Sequence, residues 1–113
     1  MSDFIRVAKV TDVPDPGRKI VELDDTLVVL VHTNGQFYAI DDVCTHDSGP
    51  LGEGQLDGYT IACPRHGAKF DVRDGRALTM PATRPTAVHE VRIVGEDVFV
   101  KLHNQAGGGR LYV

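Results

Sequence analysis

At 113 residues the chain has room for one domain with a modest core, and a catalytic domain carrying its own nucleotide-binding domain will not fit. Hydrophobic residues make up 42% and charged residues 25%, the balance of an ordinary globular protein. Twelve Lys and Arg against sixteen Asp and Glu leave a net charge of -4, which argues against nucleic acid, whose binding rests on a basic stripe.

In chain order, strand signals dominate. No run approaches the roughly 18 apolar residues of a membrane span. Asp3, Arg6 and Lys9 interrupt the start, so neither a signal peptide nor an anchor is expected, and the expected compartment is the cytoplasm. Residues 4–10 mix apolar and charged side chains as a half-buried first strand does. Pro14, Asp15, Pro16 and Gly17 then break the chain. A short strand is expected over 19–23, and the apolar, mostly β-branched run 26–32 reads as a buried strand. Asn34-Gly35 is a strong hairpin signal that joins this run to a strand over 36–40. A second hairpin is expected from 87–94, a turn at 95–97 and a strand over 98–103.

Between the hairpins, residues 41–85 are rich in Gly, Pro, Asp and Thr, with short strands at most over 59–62, 70–72 and 76–78. An insert of this length within a small domain implies function or organisation by a ligand. No amphipathic helix of useful length appears, and the tail beyond 105, with Gly107, Gly108 and Gly109, reads as frayed. These elements give a small all-β sandwich or barrel with a loop-built insertion.

Both cysteines of the chain lie in that insertion, each followed closely by a histidine: Cys44-Thr-His46 and Cys63-Pro-Arg-His66, with sixteen residues between His46 and Cys63. Two cysteines are too few for a disulfide scaffold. Two thiolates and two imidazoles offer four donors suited to iron–sulfur or zinc rather than calcium or magnesium. Such tight loops need Gly49, Pro64 and Gly67 where they stand. Four donors also fill the four terminal positions of a [2Fe–2S] unit.

The pattern Cys44-x-His46 and Cys63-x-x-His66 resembles the Rieske [2Fe–2S] motif, in which both cysteines bind one iron and both histidines the other. The likeness runs from Asn34-Gly35 through the 63–71 stretch to Asp74-Gly75, and residues 80–85 resemble the family's proline-bearing third loop. The resemblance implies an all-β Rieske fold of three stacked antiparallel sheets. It implies a single domain over 1–105, a cluster-binding insertion over about 42–85 and a flexible tail over 106–113. Respiratory-complex relatives add two cysteines, where this chain has Gly49 and Arg65, and a Ser and a Tyr, where it has Ala68 and Phe70. Hydrogen bonds to sulfur favour the reduced cluster, so their loss implies the low end of a range of roughly -150 to +300 mV. By the same resemblance the chain is a soluble one-electron carrier between a flavin-dependent reductase and the terminal oxygenase of an aromatic-ring dioxygenase system. It is expected to be monomeric, not catalytic alone, and without nucleic-acid or membrane partners.

Two other readings stay in view. A structural zinc module usually pairs Cys with Cys and His with His, unlike these mixed loops. The small subunit of an NADH-dependent nitrite reductase also resembles this fold. No Gly-x-Gly-x-x-Gly turn for a nicotinamide or flavin is present, nor a second region offering a two-His-one-carboxylate iron site. Asp41, Asp42, Asp47, Glu53 and Asp57 gather around the first loop, as a docking surface for a basic partner or as ordinary solvated surface. Arg65 reads as a port residue or a solvated one. His32, His89 and His103 read as sheet residues, and Tyr38, Tyr59 and Phe99 as core.

Overall fold

The computed structural model describes residues 4–42, 51–64, 67–79 and 85–102. Nine strands form in chain order: β1 (Ile5–Lys9), β2 (Gly17–Leu23), β3 (Thr26–Thr33), β4 (Gln36–Asp41), β5 (Gln55–Asp57), β6 (Thr60–Ala62), β7 (Lys69–Asp71), β8 (Val88–Val94) and β9 (Asp97–Lys101). Short 3-10 turns occupy Val10–Asp12 and Leu51–Glu53. All pairings are antiparallel, in the orders β1-β9-β8-β4-β3-β2 and β5-β6-β7.

The larger sheet is two three-stranded sheets joined at a narrow seam. β4 and β8 share only the pairs Ala39–His89 and Ile40–Val88, whereas β3 pairs with β2 and β4 along its length. The continuous apolar run of β3 follows from its place in the middle. Val28 and Leu30 enter one core with Ala8, Val13, Ala39, Val98 and Val100; Val29 and Val31 enter another with Leu51, Ile61, Phe70 and Val72. A strand dry on both faces needs apolar residues at consecutive positions, not at alternate ones. The expected three stacked sheets are therefore present: β1-β9-β8, then β2-β3-β4, then β5-β6-β7.

Turn chemistry sets the registers. Asn34 and Gly35 have φ of 52° and 78°, the paired left-handed conformation of a two-residue hairpin turn, and Thr33 pairs with Gln36 across it. Asp15 Oδ2 accepts the Gly35 N–H at 2.7 Å, fastening the proline-rich turn to this hairpin. The β8–β9 turn is tighter than the sequence suggests: Val94 pairs with Asp97, so Asp97 is the first strand residue and Gly95-Glu96 alone make the turn. The strand ends at Lys101. Residue 103 and the expected tail lie outside the described residues, and among those described no helix is long and apolar enough to cross a membrane.

The insertion departs from the expected short strands in two ways. Gln55–Asp57 forms a strand, β5, while residues 76–78 form only a bridge from Ala77 to Phe70, supported by Leu78 N–H donating to Lys69 O at 2.7 Å. The small sheet is fixed to the middle one by its buried face and by Thr33 Oγ1, which donates to Gly58 O at 3.0 Å.

The β2–β3 turn carries Asp24 and Asp25 at φ of 47° and 66°, a conformation that costs a non-glycine residue free energy. Asp25→Gly should stabilise the protein by about 0.5 kcal/mol and raise the thermal midpoint by about 2–4 °C, followed by far-ultraviolet circular dichroism. An unchanged or lower midpoint would show that the aspartate sits there without strain.

Candidate metal centre

The second Cys/His loop is the tip of the β6–β7 hairpin. Ala62 pairs with Lys69, and the loop above them is closed by two backbone hydrogen bonds: Cys63 N–H to Ala68 O at 2.7 Å and Gly67 N–H to Cys63 O at 2.9 Å. Gly67, at φ 75°, allows the chain to reverse in so few residues. Cys63 is 2% exposed and belongs to the core between the middle and small sheets, whereas Pro64 and Gly67 are exposed. The loop therefore puts its sulfur-bearing residue inward and Pro64 and Gly67 toward water. Ala68 and Phe70, both fully buried, line the same core and carry no hydroxyl. Cys44, His46 and His66, with Gly49 and Arg65, lie outside the described residues.

The bases of three loops converge here. Leu51, which ends the first loop, shares a core with Cys63. Gly54 abuts the backbone of Ala62 so closely that a Cβ there would collide with it. Beyond β7, Lys69 N–H donates to Thr79 Oγ1 at 3.0 Å, and Thr86 N–H donates to Gly75 O at 2.8 Å, fixing both ends of the stretch that resembles the third loop. A cluster held by two sulfurs and two nitrogens fits this setting: one candidate thiol is already inside an apolar core, and the other expected donors lie in segments whose described ends are rooted around it.

Asp41 and Asp42 do not serve as docking acids. His89 Nε2 donates to Asp41 Oδ1 at 2.7 Å, tying the end of β4 to β8 across the seam. Asp42 is 6% exposed, and its Oδ1 accepts the Gly52 N–H at 2.6 Å. Burial pushes its carboxyl above the usual aspartate range. Of the expected acidic surface, Glu53 and Asp57 remain exposed among the described residues, and Asp47 lies outside them. His32 and His89 are sheet residues: His32 Nδ1 meets Val13 O at 2.8 Å, and its ring stacks on Phe37 at 3.9 Å. Tyr38 and Tyr59 are half-buried against the core, edge to face at 6.0 Å, and Phe99 is half-buried.

Sequence reasoning missed the brace beneath the second loop. Asp71, at the end of β7, is buried and takes a forked pair from Arg73, Nε to Oδ1 at 3.0 Å and an Nη atom to Oδ2 at 2.8 Å. The Arg73 guanidinium lies over the Tyr59 ring, 4.1 Å from its centroid. An Asp two residues before an Arg, with Gly75 following, was the available signal. Arg73 holds the Asp71 carboxyl below its ordinary pKa of 3.8. Its contribution to stability is therefore complete above that value and is lost as pH falls through the lower, folded-state value. Asp71→Asn should cost about 1–3 kcal/mol in urea unfolding near pH 7. The gap from wild type should close below about pH 4; a gap that persisted would mean that charge on Asp71 is not what braces the turn.

With this geometry in place, comparisons with known proteins agree with one another. Residues 3–104 match the Rieske [2Fe-2S] domain. The 3-phenylpropionate/cinnamic acid dioxygenase ferredoxin subunit of Escherichia coli K12 is 37% identical over 99 residues, covering 87% of this chain and 92% of the relative. The ferredoxin of carbazole 1,9a-dioxygenase from Nocardioides aromaticivorans IC177 superposes with a TM-score of 0.85 at 26% identity, covering 88% of this chain and 98% of that one. A chain from the complex of reduced oxygenase and oxidized ferredoxin in carbazole 1,9a-dioxygenase gives a TM-score of 0.84 at 32% identity, covering 89% and 94%. The buried cysteine at the hairpin tip, the three stacked sheets and these likenesses have one explanation: the chain belongs to the Rieske [2Fe-2S] domain family and carries a [2Fe–2S] cluster.

Proposed function

We propose that Cys44 and Cys63 hold one iron of the cluster, and His46 and His66 the other. The observation that carries this reading is the burial of Cys63 at a hairpin tip whose flanking residues, Pro64 and Gly67, face water. When bound, the cluster supplies a one-electron redox couple. The protein itself supplies enclosure and orientation. The core of Leu51, Ile61, Ala68 and Phe70 keeps water from the Cys63 side, and two backbone hydrogen bonds close the base of the hairpin loop.

The chain is the electron-transfer component of a dioxygenase system and is not catalytic alone. It takes single electrons from a flavin-dependent reductase and delivers them to the terminal oxygenase of an aromatic-ring dioxygenase. Support comes from relatives named as dioxygenase ferredoxin subunits and from the carbazole dioxygenase complex of oxygenase with ferredoxin. It works as a monomer in the cytoplasm, with residues 1–105 as one domain and 106–113 outside it. The buried Ala68 and Phe70 support a potential at the low end of the Rieske range, because neither offers a hydroxyl to a ligand sulfur.

Protein purified without oxygen should be red-brown and contain two irons and two acid-labile sulfides per chain. Its reduced form should give an electron paramagnetic resonance signal whose average g lies below that of an all-cysteine cluster. Cys44→Ser and Cys63→Ser should abolish sulfide and colour. A colourless protein with bound zinc and no sulfide would overturn the reading. Ala68→Ser or Phe70→Tyr should raise the midpoint potential in protein-film voltammetry; an unchanged potential in both would remove the hydroxyl argument.

A further inference from the structure

At the base of the first Cys/His loop one residue, Gly52, is held through both its N–H and its C=O. Asp42 directly follows β4, and its own N–H donates to Leu27 O at 2.9 Å, so it is fixed to the middle sheet. Its Oδ1 accepts the Gly52 N–H at 2.6 Å. On the far side of the same residue, Arg18 Nε reaches from β2 to donate to Gly52 O at 2.6 Å. Gly52 is buried, and a Cβ there would meet Ile20 Cγ1 at 2.6 Å and Asp42 Oδ1 at 3.0 Å, so the clasp leaves no room for a side chain.

Residues 43–51, including Cys44 and His46, span the interval between these anchors. Leu51, next to the clasped Gly52, is fully buried in the core that also holds Cys63. The clasp therefore fixes the two ends between which residues 43–51 run and seats Leu51 in the core beside Cys63. A donor set must be held to within a fraction of an ångström by groups that are not themselves ligands, and hydrogen bonds with a charged partner are the stronger kind.

We propose that Asp42 and Arg18 are positioning residues of the metal centre, which hold Gly52 between them, one by its N–H and the other by its C=O, and thereby set the first ligand loop against the second. Arg18 lies 34 residues away in sequence, on an edge strand outside the insertion. The inference rests on Cys44 and His46 being ligands.

The test uses the holoprotein with Asp42→Ala, Asp42→Asn, Arg18→Ala and, as a control for general stability, Leu30→Ala in the opposite core. The readouts are the electron paramagnetic resonance line shape, the midpoint potential, and the half-life of cluster loss to an iron chelator. Asp42→Ala should broaden the resonance, shift the potential and shorten the half-life about tenfold, the effect of losing a buried hydrogen bond to a charged group. Asp42→Asn, which keeps an acceptor oxygen, should return all three to near wild type. Arg18→Ala should move them in the same direction by about threefold in half-life, and Leu30→Ala should lower the thermal midpoint with line shape and potential unchanged. Wild-type line shape, potential and half-life in both Asp42→Ala and Arg18→Ala would overturn the proposal; if Asp42→Ala does not fold, Arg18→Ala decides alone. Cys44→Ser and His46→Ala separate the two readings. If they keep the native cluster, the ligand assignment fails; if they lose it while the clasp variants behave as wild type, only the clasp fails.

Discussion

The structure depends on a strand that is dry on both sides. In β3, Val28 and Leu30 point into one core and Val29 and Val31 into the other, so the middle sheet has no solvated face around this strand. Each core is completed by a different outer sheet, and loss of either would expose a row of valines. The small sheet that bears Cys63 is held in place by this demand for burial, together with the Thr33–Gly58 hydrogen bond. The loop-rich insertion is thus a docked layer with apolar contacts of its own rather than an appendage ordered only by its ligand.

Across the middle and small sheets, carboxylates are spent at the loop bases. Asp41 meets His89, Asp42 meets Gly52, and Asp71 meets Arg73; each carboxylate closes a turn or joins two elements that differ widely in sequence position. Buried or half-buried carboxylates carry a desolvation cost, and each of these is offset by a short hydrogen bond. Of the acids around the first loop, Asp41 and Asp42 are engaged within the fold while Glu53 and Asp57 stay exposed, so the net charge of -4 is a poor guide to which surface meets a partner.

Much of this was legible in the sequence, for physical reasons. Asn34-Gly35 announces its turn because few residue pairs accept two left-handed conformations, and the unbroken apolar run of β3 announces burial on both faces. The Cys/His spacing announces a metal site because the chemistry of four soft and borderline donors narrows the choice of ion. Less legible was β5, since Gln55-Leu56-Asp57 is too short and polar to carry a period. Asp41 and Asp42 look like surface because charge in sequence says nothing of depth. Arg18 was invisible as a partner of Gly52, because only the stacking of the layers brings them together. Of the four ligands expected from the sequence, Cys63 is the one whose surroundings the structure describes.

The two-pair seam between β4 and β8 has a consequence for how the layers are held together. With so few ladder bonds at the seam, the β1-β9-β8 sheet is held to the middle sheet chiefly by the shared core of Val28, Leu30, Ala39, Val98 and Val100 and by the Asp41–His89 hydrogen bond. Cys63 packs in the other core, with Val29 and Val31 on the opposite face of the same strand, so the site and the outer sheet meet the middle sheet from different sides.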